Sequence, residues 1–292
     1  MAFLTKKRVM QFIREPQAMD LYPSDCGQQI FAFLKKYTPS TELPEKLIGA
    51  VVPHAAWKYS GKVAARTLHT LSERSSPDIC VLLGADHIGL KKHTLLPDGT
   101  WKTPLGSLPI ASELASALYS ALPKILSNDM SAHELEHSLE VISPMIAYFW
   151  PKLSILPIII VPNANALEIG NALVQLLKAS GKTAIFVAST DLTHYGRFYG
   201  NAHAGTGEKA LDWVQHNDKK MIECICNVKA TEILKEAAEN QNACGAGALT
   251  TLCAIAKAHE IQKGYLIEYT TSHGNEHPNF FQSGVGYAGV VF

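Results

Sequence analysis

The chain carries no net charge. Its 26 lysines and arginines balance 26 aspartates and glutamates across 292 residues, so it lacks the concentrated basic surface that nucleic acids and anionic membranes attract. Long apolar runs are absent too. The most continuous, residues 155–161, contains Pro157 and falls far short of the roughly 20 residues that cross a bilayer. Residues 1–14 scatter Lys6, Lys7, Arg8 and Arg14 among apolar side chains, without the unbroken apolar region of a secretory signal. The six cysteines include no Cys-x-x-Cys pair, and a core of this size needs no disulfides. No Gly/Ser-rich linker, low-complexity tract or internal repeat divides the chain. Its glycines match neither a P-loop nor a dinucleotide fingerprint. These absences predict a cytoplasmic protein of one domain, residues 1–292, with neither nucleic acid nor membrane among its partners.

What is present alternates. Short apolar runs at residues 47–52, 79–83, 155–161, 184–188 and 284–292 read as buried strands. Between them, Val63-Ala64-Thr67-Leu68-Leu71, Leu114-Ala117-Leu118-Ala121, Ile169-Leu173-Leu176-Leu177 and Ala248-Leu252-Ile255-Ala256 follow helical spacing. Strands that are apolar throughout belong to a sheet covered on both faces, which predicts an α/β fold with a largely parallel central sheet flanked by helices. The runs at 265–271 and 284–292, separated by a Gly/Asn/Pro-rich turn, are expected to pair antiparallel.

Histidines and acids gather where these runs end. Val51-Val52 leads into Pro53-His54, Val81-Leu82-Leu83 into Gly84-Ala85-Asp86-His87, and Phe186-Val187-Ala188 into Ser189-Thr190-Asp191-Leu192-Thr193-His194-Tyr195. Ligands of open α/β sheets bind beyond the carboxyl ends of the strands. Taken singly, each residue has an ordinary reading: Ser60 or Gly61 starts the next helix, Asp191 caps one, His87 bonds backbone in a loop. Three strands delivering such groups to one edge favour a shared cleft, and converging neutral imidazoles are what a metal centre needs.

Two further clusters stand out. His133-Glu134-Leu135-Glu136-His137 matches the H-E-x-x-H pattern of zinc proteases. Ser131 with Glu134 reads as a capping box, however, placing the motif in a helix's first turn. The stripe Leu135-Leu139-Ile142-Ile146-Phe149 would then lie opposite His133, His137 and Glu140, which face solvent or close over a cleft. Pro144 is expected to kink or offset this helix. In Ala243-Cys244-Gly245-Ala246-Gly247-Ala248, a thiol opens a small-residue helix. The helix dipole favours its thiolate there, although a small buried cysteine at a close helix contact is the commoner case. Cys80 reads as core, and Cys224 and Cys226 stand too close for a usual metal pair.

Together these segments resemble the Memo protein family. The resemblance rests on Pro53-His54-Ala55-Ala56-Trp57-Lys58-Tyr59-Ser60-Gly61, Gly84-Ala85-Asp86-His87, Trp101-Lys102-Thr103-Pro104-Leu105-Gly106, Glu136-His137-Ser138-Leu139-Glu140, Asp191-Leu192-Thr193-His194-Tyr195, Cys244-Gly245 and Val285-Gly286-Tyr287-Ala288. Family members include a eukaryotic mediator of cell motility and prokaryotic proteins linked with a radical-SAM partner. The resemblance implies a fold like that of class III extradiol ring-cleaving dioxygenases, which hold non-haem iron with two histidines and a carboxylate. By position it places His54, His87 and Cys244 as metal ligands, with Asp191, His194 and His137 around them. Ala56 stands before Trp57 where the family motif usually has glycine.

A thiolate in place of the carboxylate shifts the metal preference from iron towards copper, with zinc also compatible. The expectation is a copper- or iron-binding redox protein with a dioxygenase-like site. In it His194 is a general acid/base oriented by Asp191 or another acid, and His137 is a supporting donor or lid residue. The alternative is a non-catalytic module that holds a phosphotyrosine-type peptide in the same cleft, as the motility members are reported to do. No arginine cluster flanks the motifs, which disfavours phosphate. A hydrolase using Cys244 with His194 ranks lower, because it leaves the other histidines without a role. The ligand, small molecule or peptide, is not named by the sequence.

Overall fold

The computed structural model describes residues 12–273 and 280–292. Lys6, Lys7 and Arg8, and residues 274–279 of the turn expected between the last two strands, lie outside the described residues. In chain order the first elements are β1 (Ile13–Arg14), α1 (Cys26–Leu34), β2 (Gly49–Val52), α2 (Trp57–Ser72), β3 (Ile79–Gly84), β4 (His93–Leu95), β5 (Thr100–Thr103) and β6 (Gly106–Pro109). The middle holds α3 (Ser112–Ala121), β7 (Leu126–Ser127), α4 (Met130–Leu135), α5 (Ser143–Phe149), β8 (Ser154–Ile159), α6 (Ala166–Ser180), β9 (Ala184–Ser189) and β10 (His194–Tyr195). The chain finishes with α7 (Glu208–Cys226), α8 (Ile233–Asn240), α9 (Ala246–Ala258), β11 (Tyr265–Thr271) and β12 (Gly284–Val291). No helix among the described residues is long and apolar enough to cross a membrane.

Each of the five apolar runs forms a strand. The main sheet has the order β10-β12-β2-β9-β3-β8-β4-β7, with β11 paired to β12. Its centre is parallel: β2 pairs with β9, and β3 lies between β9 and β8. β12 runs antiparallel to both β2 and β11, as expected for the two final runs. Side chains of a strand alternate between faces, which explains why these runs are apolar throughout. Val51, Val81, Leu83, Phe186 and Ala188 pack into the core that contains Leu114, Ile169, Leu173, Leu249 and Leu252 of α3, α6 and α9. Ala50, Val52, Cys80, Leu82, Ile185 and Val187 enter the opposite core with Ile30, Leu68 and Ile146 of α1, α2 and α5. The fold class is the expected one.

Residues 130–149 depart from expectation. Asp129, not Ser131, caps α4: its carboxylate accepts from the Ser131 and Ala132 amides at 3.0 and 3.3 Å. The chain then leaves the helical conformation at Glu136 and resumes helix only at Ser143, so Pro144 starts α5 instead of kinking a longer helix. The supposed stripe is broken accordingly. Leu135 is 71% exposed, whereas His133 is 1% exposed. Two buried carboxylates account for the break, because each takes its hydrogen bonds from distant strands and loops. Glu140 Oε1 accepts from the amides of Gln17 and Ala18 at 2.9 and 2.8 Å and from the Tyr22 hydroxyl at 2.7 Å. Its other oxygen pairs with Arg14 at 2.5 Å, both side chains being buried. Arg14 also donates to the His133 carbonyl and lies over the Trp101 ring. The N-terminal segment is thereby fastened to residues 133–140.

A third buried acid braces the far end of the sheet. Asp218 Oδ1 accepts from the Thr193 amide at 2.8 Å, and Oδ2 accepts from the Tyr269 hydroxyl at 2.7 Å. Gly286 is glycine because a Cβ there would run into this carboxylate. Asp218 and Asn217 are fully buried on α7, so its inward face lacks a clean apolar stripe.

Glu140→Ala removes one partner of a buried ion pair and an acceptor for three donors. It is expected to lower unfolding free energy by about 3–5 kcal/mol in urea denaturation. Burial pushes the Asp218 carboxyl up to about 6, against the pull of its hydrogen bonds to Thr193 and Tyr269. The native state therefore keeps this proton where the unfolded chain, near 4, has lost it. Stability from this group falls as pH rises from about 4 to 6 and is level above, a change of roughly 3 kcal/mol. Asp218→Asn should flatten that part of the stability–pH curve; an unaltered slope contradicts it.

Candidate metal centre

Three neighbouring parallel strands end at one edge of the sheet. β2 leads to His54, β3 to His87, and β9 to Asp191 and then His194 in β10. Two close approaches complete the group. A Cβ on Gly84 would collide with Ser138 and Leu139, so the loop carrying His137 lies directly against the end of β3. A Cβ on Gly245 would collide with the Ser189 carbonyl and Thr190, so Cys244 is held against the end of β9.

His54, His87 and His137 each offer a ligand atom within 4.8 Å of those of the other two. Their ring centroids are 5.1 Å apart for His54–His87, 5.7 Å for His54–His137 and 4.7 Å for His87–His137. Hydrogen bonding fixes which nitrogen is available. His54 Nδ1 lies 2.7 Å from Ser189 Oγ, and that hydroxyl donates to the Ser138 carbonyl at 2.9 Å. The hydroxyl's proton being committed, His54 must donate from Nδ1, which leaves Nε2 as a lone pair. His87 Nδ1 donates to Glu136 Oε1 at 2.9 Å, and His137 Nδ1 stands 3.6 Å from the same oxygen. Glu136 is buried and also accepts from the amides of His87 and Ser138, both at 2.8 Å. This carboxylate supports two rings at once.

Cys244 Sγ is 3.2 Å from His54 Nε2, receives the Asp191 amide at 3.2 Å and also meets His87. Of the expected set, Cys244 stands beside His54, while the mutually close ligand atoms are those of His54, His87 and His137. His137, expected as support or lid, stands among the mutually close nitrogens. Burial, then the neighbouring histidines, push His54 well below its usual range, and burial first among several influences lowers His137. His87 is the exception. Burial alone would lower it, but Cys244 and Glu136 push it up to about 10. Burial would raise Glu136, yet its contacts with His87 dominate and hold it at about 2. The Glu136 carboxylate thus places negative charge beside this ring.

Asp191 does not orient His194. The Leu192 carbonyl takes the His194 Nδ1 proton at 3.0 Å, leaving Nε2 free. Asp191 Oδ1 instead accepts from the amides of His54 and Ala55 at 2.8 and 3.3 Å, and burial pushes the carboxyl up to about 7. It braces the loop between β2 and α2. Beyond these two residues a cleft of about 840 Å³ opens, walled by Tyr59, Tyr199, Phe280 and Tyr287 among others. None of its described lining residues is lysine or arginine, which gives a phosphate no cationic partner there. Sequence reasoning assigned no role to Glu136 or Ser189; an acid immediately before His137 was the available signal. His133, the other half of the H-E-x-x-H pattern, is buried beside Trp101, away from this group.

Comparison with known proteins agrees with these motifs. The model of the family described as Memo-like protein matches residues 17–291. A MEMO1 family protein of Methanopyrus kandleri is 34% identical over 85% of this chain and 84% of its own length. Another, from Methanosarcina mazei, is 33% identical over 96% of this chain and 98% of its own. An uncharacterized protein of Escherichia coli K12 superposes with a TM-score of 0.54 at 14% identity, covering 85% of this chain and all of that one, a likeness of fold alone. With the family model spanning nearly the whole sequence and relatives above 30% identity along most of it, this chain belongs to the Memo-like family.

Proposed function

We propose that this chain is a metal-binding redox protein that holds copper or iron at the histidine–thiol group. One observation carries the reading. Imidazoles from three separate segments bring ligand atoms within 4.8 Å of one another, and hydrogen bonds turn Nδ1 of His54 to Ser189 and Nδ1 of His87 to Glu136, which leaves Nε2 of those two rings for a metal. Such a fixed tautomer with a supporting carboxylate is the arrangement of metal-bound histidine. The donor chemistry fits: three imidazoles beside a thiol suit copper, and imidazole also suits iron.

In this reading His54, His87 and His137 hold the ion and Cys244 adds a thiolate. The bound ion supplies one-electron chemistry. His194, with Nδ1 tied to Leu192, presents Nε2 to the cleft and accepts a proton from a bound ligand there. Asp191 keeps the His54 loop in place through its amides. The aromatic walls exclude water from one side of the ligand. A peptide-binding role for the same cleft finds less support, since phosphate recognition relies on arginine or lysine.

Protein purified without chelator should contain copper or iron near one equivalent by elemental analysis, with His54→Ala and His87→Ala each depleted. Metal content unaltered in both variants would falsify the proposal. Glu136→Gln keeps the shape of the side chain but weakens its hold on His87 and His137. Competitive chelator titration should show a loss of metal affinity of about 10–100-fold.

A further inference from the structure

The cleft beside the histidine group has a recognition chemistry of its own. Asp191 lines it although only 4% of its surface is exposed. Its Oδ1 is engaged by two backbone amides, while no described residue donates to Oδ2. A carboxylate oxygen with no donor among the described residues, on a side chain this buried and at the wall of a cavity, calls for a donor from outside. A hydrogen-bonding cation satisfies it best, because charge-assisted bonds are the strongest available.

The walls point the same way. Tyr199, Phe280 and Tyr287 line the cavity, and aromatic rings can attract a cation placed over their faces. The protein already uses this interaction next door, where the Lys58 ammonium stacks on Tyr59 with Nζ 4.4 Å from the ring centroid. None of the described lining residues is itself lysine or arginine, and the one ammonium named at this wall, Lys58, is held on the Tyr59 ring. The volume, about 840 Å³, admits a ring-sized organic molecule.

We propose that the cleft binds an organic amine as its ammonium form, with Asp191 Oδ2 as counter-charge and Tyr199 and Tyr287 as aromatic walls around an apolar body. The proposal rests on the cleft being the ligand pocket of the site proposed above, and not on which metal that site holds.

Three probes of one shape separate the possibilities: 2-phenylethylamine as cation, 2-phenylethanol as neutral isostere and 3-phenylpropionate as anion. Calorimetric titration into the full chain at pH 8, both chelator-treated and metal-supplied, should find the amine bound at least about tenfold more tightly than the alcohol. The propionate should bind most weakly. Asp191→Asn keeps a carbonyl for the His54 and Ala55 amides, and should bring the amine within about threefold of an unaffected alcohol. Should that variant fold poorly, Tyr199→Leu decides, weakening the amine more than the alcohol. Equal binding of amine and alcohol, preference for the anion, or no amine binding at millimolar concentration overturns the proposal. A protein that takes up metal but shows no amine preference loses this inference and keeps the metal reading. Amine preference without metal uptake does the reverse.

Discussion

The buried Glu136 carboxylate is the contact on which the rest of the site depends. It collects the amides of His87 and Ser138, the His87 ring and the edge of the His137 ring. A buried anion is costly unless it is surrounded by donors and positive charge, and here the donors are the histidines themselves. The acid is stable because the rings point at it, and the rings are oriented because the acid is there. The same bonds draw residues 136–142 out of helical geometry and press them against the end of β3.

That short stretch faces two ways. Glu136 reaches into the candidate metal centre, and Glu140, four residues on, reaches the N-terminal segment through Arg14, Tyr22 and two amides. Leu21 of that segment lines the cleft. A wall of the cleft and two of the ring nitrogens are therefore braced by neighbouring carboxylates on one piece of backbone. Strain at either end is transmitted through a few hydrogen bonds rather than through the sheet.

Much of this was legible in the sequence. The five central strands announce themselves because both faces are covered, leaving no polar positions to blur the runs. His54, His87 and Asp191 follow from lying within a few residues of the ends of three such strands. Cys244 was legible only as a thiol before a small-residue helix; its contact with His54 depends on the tight seat of Gly245 against β9. Residues 131–149 were misread because helical periodicity was extended through Glu136 and Glu140, whose partners are more than a hundred positions away or on another strand. Local spacing carries no trace of such bonds. α7 escaped notice for a related reason, since Asn217 and Asp218 occupy its buried face.

The sequence separation of the ring donors has a consequence for how the centre is assembled. His54, His87 and His137 stand on different crossovers, and no two lie within a helical turn of each other. The only closely spaced pair in the neighbourhood, His133 and His137, is split by the fold, one ring going to the core and the other to the centre. A nascent chain thus offers an ion no ready claw. In small zinc domains capture and folding are a single event; here any ion at the three rings would find its site only once the sheet had brought them together, a late passenger rather than the seed.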